Sequence, residues 1–398
     1  MISVDEAAAR IVAAFRPVDA ETVEIGKAFG RVVAEEIKAK RDQPPLPLSA
    51  MDGYAVRAGD TANVPATLKI AGASPAGHPF AGHVNKGEAV RIFTGGAVPD
   101  GANAIVIQED TETDGKTVTV KQAAIAGKHI RIAGLDFKKG DVLASAGRRL
   151  SPRDLSLLAA GDIARLSVRR RPRIALAATG DELTRPGETR KPGAIVASSG
   201  YGLTAMIENW GGEVTDLGIV PDNAEAIADL PGRAEGADLL VTLGGASVGE
   251  HDLIQTALGP KGFELDFWKI AMRPGKPLIF GRLGALPLIG LPGNPVSTLV
   301  CAILFLRPAI AAMLGTATAT PLRRARLAAD LKENDSRQDY IRAALETRGG
   351  ELWAAPFPVQ DSSMLSTLAR ADALIVRPPH APAAAAGAPV DILPLAGL

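Results

Sequence analysis

Three textures of apolar and polar residues follow one another along the chain. At the amino terminus Ile11, Val12 and Phe15 recur at helical spacing, and Ser3 and Glu6 stand three apart as a capping pair, so a helix opens the chain. The helical pattern is read to about residue 43, where Pro44, Pro45 and Pro47 break it. From about 45 to 145 short β-prone runs (67–70, 104–107, 117–120) sit between Gly, Pro, Asp and Asn turns. Ser151-Pro152-Arg153-Asp154 predicts a second helix, with an N-cap, a proline at the first helical position and an acid in the first turn; Gly161 is its stop. The basic run 168–173 reads as a solvated linker.

Beyond 173 the pattern changes to strand–loop–helix alternation. Strands are expected at 173–178, 213–220, 238–243, 263–268 and 286–289, and helices at 200–210, 224–233, 253–258 and 296–314. That order predicts a parallel sheet with helices on both faces, and such sheets bind ligands in the loops at the carboxyl ends of their strands. After about 317 short strands return (323–331, 340–347, 352–356, 373–376), which fits a small terminal β domain. Residues 378–389 have the biased composition of a flexible loop.

Composition narrows the function classes. The 398 residues carry 44 basic and 44 acidic side chains, so affinity from a uniform basic surface, as in a non-specific nucleic-acid binder, is not expected. Aromatics are 4%, too few for base-stacking platforms. One cysteine, Cys301, excludes an internal disulfide and a Cys-rich zinc site, and five scattered histidines offer no HExxH pair. The 42 glycines and 29 prolines signal many tight turns and close backbone approaches. No basic-then-apolar leader opens the chain, and the most apolar stretch, 299–306, is short of a membrane span, so a cytoplasmic protein with no membrane or nucleic-acid partner is expected.

Four loops in the α/β region could carry chemistry. Thr179-Gly180-Asp181-Glu182 follows a strand, where adjacent acids can hold Mg²⁺ through oxygen, though a turn with a helix cap explains the spacing as well. Gly244 to Asp252 (GGASVGEHD) places glycines before a helix, suited to a phosphate, although it is neither GxGxxG nor a Walker A loop. Its GxSxG match raises a serine hydrolase, but the histidines beyond Ser247 are His251, beside the motif, and His380, in the biased loop; neither makes a convincing base. Lys269 to Pro277, with Arg273 and Lys276, suits a polyanion or is an ordinary exposed hairpin. Gly290 to Ser297 is a rigid turn between strand and helix, with Ser297 a possible cap.

SAMDGYAV (49–56), TGDEL (179–183), GGASVGEHD (244–252), RPGKP (273–277) and LPGNPVS (291–297) together resemble the MoeA family, the molybdopterin molybdenumtransferases, whose relatives include the carboxyl-terminal part of gephyrin. The resemblance runs over essentially the whole chain. Pro47-Leu48, Ala246 and Leu135 depart from the family's usual residues. What the family implies is a multi-domain α/β plus β fold. Its parts would be a discontinuous helical segment (1–44 with 140–168), an inserted β-rich domain (45–139), a MoaB/MogA-like doubly wound α/β domain (169–316) and a β-barrel-like C-terminal domain (317–398). It implies a homodimer, with the site between the α/β domain of one subunit and the inserted domain of the other.

The implied reaction ligates molybdate to adenylylated molybdopterin, with Mg²⁺-dependent release of AMP. Asp52, Asp136, Glu182, Asp222 and Asp252 would be the catalytic acids, with Asp52, Glu182 and Asp252 as metal ligands and Asp181 ranked below Glu182. Asp222 and Asp252 can equally be read as helix caps. Thr179, Gly180, Gly244, Gly245, Ser247, Val248, Gly249, Arg273, Lys276, Pro292, Pro295 and Ser297 would bind substrate, the two cations offsetting repulsion between the anionic reactants. The resemblance leaves room for contact with the molybdopterin adenylyltransferase and with cofactor-accepting enzymes, and for two other functions, a gephyrin-like scaffold or the adenylyltransferase itself.

Overall fold

The computed structural model describes residues 1–190, 192–244, 250–319 and 322–396, and of 250–252 the backbone alone. The chain divides into two compact units. One joins Met1–Glu21, Gly30–Ala34 and Val168–Leu398; the other joins Thr22–Phe29 and Glu35–Ser167.

The first unit is built on a six-stranded sheet in the order Glu213–Val220, Arg173–Thr179, Leu239–Leu243, Leu286–Leu291, Pro277–Leu283, Phe263–Lys269. The first four strands are parallel and the last two antiparallel. Side-chain alternation shows why its centre is covered on both faces. Ile174, Leu176, Leu239, Val241, Leu243, Ile289 and Leu291 enter one core with the helices Ser199–Trp210 and Pro295–Cys301. Ala175, Ala177, Leu240 and Leu288 enter the other, with Ala224–Arg233 and Glu250–Leu258. The sheet is therefore mixed rather than purely parallel. The strand Pro277–Leu283 escaped the sequence pattern because it follows directly on the RPGKP turn and hairpins into the next strand.

Helix continues from Pro295 to Leu314, with one wider π turn over Ala302–Leu306. It matches the helix expected at 296–314, and at 20 residues the whole helix, unlike the 299–306 stretch alone, is long and apolar enough to cross a bilayer. Of its most apolar window 78% is buried, since it is the core helix of this unit. Val4, Ala7, Ile11 and Phe15 of the amino-terminal segment join the same core. Their helix is Val4–Ala13, with Ser3 Oγ accepting from Glu6 N at 3.1 Å. From residue 14 to 44 strands and one 3₁₀ turn replace the expected helix.

The basic run 168–173 is not a solvated linker. Arg170 forks onto Asp238 with both N···O distances 2.7 Å, and Arg169 donates to Val18 O at 3.0 Å. The terminal region closes into a five-stranded barrel: Gln338–Arg348, Glu351–Pro356, Arg323–Leu327, Pro389–Pro394 and Ala373–Arg377, the last pairing back to the first. Met272–Arg273 adds alongside Gln338 and Asp339, which ties the barrel to the α/β sheet. The biased segment 378–389 is pinned rather than loose, since Ala384 and Leu331 exchange backbone hydrogen bonds.

The second unit centres on a six-stranded sheet in the order Ala104–Ile107, Gly53–Val56, Glu88–Ile92, Ala66–Ser74, Thr117–Val120, Thr111–Thr113. Tyr54 and Val56 fill one face and Ala55 the other. Gly53 begins this buried strand because a Cβ there would lie 1.9 Å from Val106 O. Residues of 35–44 meet 137–144 through short strands, Ile37–Lys38 with Val142–Ala144, rather than helix to helix. The helix Pro152–Ala160 carries a complete capping box between Ser151 and Asp154.

Candidate functional site

At the carboxyl ends of the parallel strands in the first unit lies a cavity of about 590 Å³. Three strand ends contribute: Ala178 and Thr179, then Leu243 and Gly244, then the Pro292-Gly293-Asn294-Pro295 turn. Ser198 to Gly200 bring the start of the helix Ser199–Trp210, and Ser297 lies in the first turn of the Pro295–Cys301 helix. Two helix amino ends therefore face one cavity, and the positive end of each helix dipole favours negative charge there, although Pro295 has no N–H and Val296 N is taken by Ser362 O. Glu182 is the acid among the described lining residues, and no Lys or Arg is among them.

The strand-end loops sit close because glycine allows it. Gly244 has φ +92°, and a Cβ on it would lie 2.7 Å from Thr179 O and 2.9 Å from Thr179 Oγ1. Gly180 has φ +151°, and a Cβ would lie 2.7 Å from Glu182 Oε2. The third wall is held from the barrel. Asn294 Nδ2 donates to Ser362 Oγ at 2.9 Å, and Val296 N donates to Ser362 O at 3.1 Å. Ser363 and Leu365 complete the lining. Behind them Arg342, 1% exposed, donates through Nε to Gln360 Oε1 at 3.1 Å and through Nη1 to Asp361 O at 3.0 Å. Burial lowers the Arg342 pKa from the ordinary arginine value.

Family models match the chain along nearly its whole length: a MoeA N-terminal region (domain I and II) at residues 2–161, a probable molybdopterin binding domain at 175–312 and a MoeA C-terminal region (domain IV) at 324–395. A molybdopterin molybdenumtransferase of Haemophilus influenzae is 38% identical over 318 residues, 79% of this chain and 78% of the relative. Molybdopterin molybdenumtransferase 2 of Mycobacterium tuberculosis is 35% identical over 395 residues, 96% of each chain. The chain belongs to the MoeA family. The crystal structure of a MoeA molybdopterin biosynthesis protein from Pyrococcus horikoshii matches it with a TM-score of 0.86 at 31% identity, covering 99% of both chains. Fold and family thus agree with the resemblance carried by the five motifs.

Within this MoeA chain the cavity gathers Thr179, Glu182, Gly244, Pro292, Pro295 and Ser297 from the sequence-predicted set. Gly180 supports it from a buried position. Asp222 is not in its lining; its backbone N donates to Asp181 Oδ1 at 3.2 Å. The cap of the following helix is Asn223, whose Oδ1 accepts from Ala226 N at 2.9 Å, so Asp222 is not the helix cap. Ser297 is likewise not a cap, since Asn294 holds that position.

The two cations behave differently from the expectation. Arg273 is not in the lining. Its guanidinium is held by Asp339, at 2.9 Å from Nε and 2.5 Å from Nη2, and lies 3.7 Å from Asp335. Asp339 raises the Arg273 pKa further, and Arg337 holds the Asp335 carboxyl at about 2. Lys276 is exposed one residue before the lining Pro277. Gly275, with φ +108°, packs so near Cys301 that a Cβ would lie 2.4 Å from Sγ, which fixes this turn.

Asp52 and Asp136 belong to the second unit. Asp52 Oδ1 accepts from Thr94 N at 2.7 Å and Thr94 Oγ1 at 2.8 Å, which lowers its pKa. Asp136 is exposed, and its backbone N donates to Gln43 O. Gly245, Ser247, Val248 and Gly249 lie outside the described residues, as does the side chain of Asp252. No group of three His, Cys, Asp or Glu gathers among the described residues. Mg²⁺ bound with phosphate needs only one or two carboxylates, so Glu182 is compatible with such an ion. The sequence reading missed Ser198, Ser199, Asn294, Ser362 and Ser363. The pair 198–199 ahead of a helix was a local signal; Ser362 and Ser363 gave none, because only the barrel's return brings them here.

Proposed function

We infer that this chain is a molybdopterin molybdenumtransferase, which ligates molybdate to adenylylated molybdopterin and releases AMP. What carries the reading is the cavity at the strand ends, two helix amino ends facing it, in a chain whose full-length relatives bear that name. Both reactants are anions, and among the described lining residues helix amino ends rather than side-chain cations are there to hold them. Ser297 supplies a hydroxyl group to orient an oxyanion, Thr179 lines the pocket with its Oγ1 donating to Leu243 O at 3.4 Å, and the Pro292–Pro295 turn fixes the shape of the pocket without reacting.

Mg²⁺ is proposed as the cofactor, held by Glu182 and substrate phosphate oxygens together with Asp252 and Asp52; when bound it would polarise the phosphate anhydride. Asp136 and Asp222 are proposed to orient water or carry protons. The remaining predicted residues, Gly180, Gly245, Ser247, Val248, Gly249 and Lys276, are proposed to bind phosphate. Arg273 is proposed to act through the position of the 273–277 turn. The working architecture is a cytoplasmic homodimer, each subunit comprising the 45–139 insert, the 169–316 α/β part, the 317–398 barrel part, and the linking stretches 1–44 and 140–168. Asp52 and Asp136 are proposed to serve the site in that dimer.

The test is direct. Purified protein supplied with adenylylated molybdopterin, Mg²⁺ and molybdate should release AMP and yield active cofactor. Glu182→Ala and Asp52→Ala should each lower kcat/KM by at least about a hundredfold, the scale of losing a positioned acid or metal ligand. Full activity in both variants would remove their assigned roles. Adenylylation of molybdopterin from ATP by this chain alone would replace the whole reading.

A further inference from the structure

A second cavity, of about 270 Å³, opens beside the first and shares Ala178, Ala197, Gly200 and Leu243 with it. Three of the four shared residues carry at most a methyl group, so the partition between the cavities is thin. Gly200 is small without being strained: a Cβ there would meet nothing closer than Leu243 Cδ1 at 3.8 Å. The floor of this annex is aliphatic, formed by Leu176, Val214 and Ile219.

Its rim is polar and aromatic. Tyr201, in the first turn of the helix Ser199–Trp210, lines it and is 59% exposed. Asp216 and Arg185 stand there 3.8 Å apart, both half-exposed and only loosely paired. The edge strand bulges at this place: the register with Leu176 and Ala177 skips one residue between Asp216 and Gly218. Gly218 has φ +82°, its N donates to Asp216 Oδ1 at 2.8 Å, and a Cβ on it would lie 3.2 Å from Arg185 Nη2. Bulges commonly re-aim a side chain beside a functional site, and here one fixes the carboxylate and leaves room for the guanidinium.

An aliphatic floor suits a flat ring, an exposed tyrosine at the rim can stack on it, and a carboxylate beside a guanidinium matches a donor next to an acceptor on the ring edge. We propose that this annex binds a planar fused nitrogen heterocycle, with an amino group beside an acceptor, continuous with the anion-binding cavity. Both ends of adenylylated molybdopterin, the pterin and the adenine, have this chemistry. The choice of candidate rings rests on the proposed function; the annex itself does not.

The experiment is calorimetric titration of the full chain, without Mg²⁺, by two probes, AMP and free pterin. It uses wild type, Tyr201→Ala, Asp216→Ala and Glu182→Ala, all checked for an unchanged thermal midpoint. Asp216→Asn serves if Asp216→Ala unfolds. The probe whose affinity falls at least tenfold in both annex variants, and less than twofold in Glu182→Ala, identifies the ring. With the complete substrate the annex variants should raise KM at least fivefold with kcat within twofold. If neither probe's affinity depends on Tyr201 and Asp216, the annex is not a ring site, whatever the turnover. If the dependence appears but wild type releases no AMP from the complete substrate, the annex stands and the assigned reaction falls.

Discussion

Replacing Gly244 by alanine tests whether close packing of two strand-end loops makes the cavity. The residue has φ +92°, and the added methyl would sit 2.7 Å from Thr179 O, a backbone atom that cannot swing aside. A non-glycine residue held in a sparsely populated backbone region costs about 1–3 kcal/mol. Overpacking against a fixed neighbour costs about 1–3 kcal/mol more. A loss of at least about 2 kcal/mol is therefore expected, enough to lower the melting point of a domain this size by about 4–8 °C. The strain can be relieved only by parting the loops after Arg173–Thr179 and Leu239–Leu243, which would move Thr179 and Glu182 relative to the Pro292 turn. Gly293→Ala is the matched control, since its Cβ would find its nearest atom, Gly244 Cα, at an ordinary 3.7 Å. Differential scanning calorimetry and AMP-release kinetics on the pair decide the matter. Gly244→Ala should lose both stability and kcat/KM, and Gly293→Ala should lose little stability. An unchanged melting point and unchanged KM in Gly244→Ala would show that this approach of the loops does not shape the site.

Arg342→Met should free the 357–365 loop from the barrel, removing the donors to Gln360 and Asp361, at about 2–4 kcal/mol. Faster cleavage in that loop on limited proteolysis, with a raised KM, is expected, and an unchanged cleavage rate would refute it. In the second unit, burial pushes the Asp154 carboxyl up, but hydrogen bonds from Arg148 and Ser151 more than offset it and hold it at about 2, against 3.8 for the free group. Its folded pKa is the lower one, so its stabilising contribution is complete above about pH 4 and lost as pH falls towards 2. In urea unfolding, Asp154→Asn should be less stable than wild type at pH 7, with the gap narrowing below pH 4; a gap that does not depend on pH would refute this reading.

Much of the α/β fold was legible because burial on two faces leaves near-continuous apolar strands, and capping residues mark the helices between them. Ser3, Ser151 and Gly161 bounded helices where their chemistry said they should. Local rules failed where long-range contacts decide. Pro277–Leu283 follows a Pro- and Gly-rich turn, and only pairing with both neighbours reveals it as a strand. Arg169 and Arg170 looked like solvated charge because their partners, Val18 O and Asp238, are 151 and 68 residues away. At the site, the glycines, the prolines and Glu182 were visible as strand-end loops. The Ser362–Ser363 wall was not, since no spacing rule links residue 294 to residue 362.

Among the described residues, the placement of charge accounts for how a chain with no net charge could form the proposed anion site. Arg170, Arg273 and Arg342 have the geometry of structural fasteners, each bound to carboxylate, carboxamide or carbonyl oxygen away from the cavity lining. Fixed cations in the cavity would hold two anionic reactants, but would also bind the released AMP strongly. N–H dipoles at helix ends favour anions more weakly, by typically about 0.3–1 kcal/mol each, and they need no counter-charge when the site empties. The Gly and Pro surplus then has a mechanical reason: a site made from backbone needs loops that approach as Gly244 and Thr179 do, and turns as stiff as Pro292 to Pro295. Arg342 and Arg273 are left to fasten the barrel loop and the 273–277 turn, which lie beside the cavity.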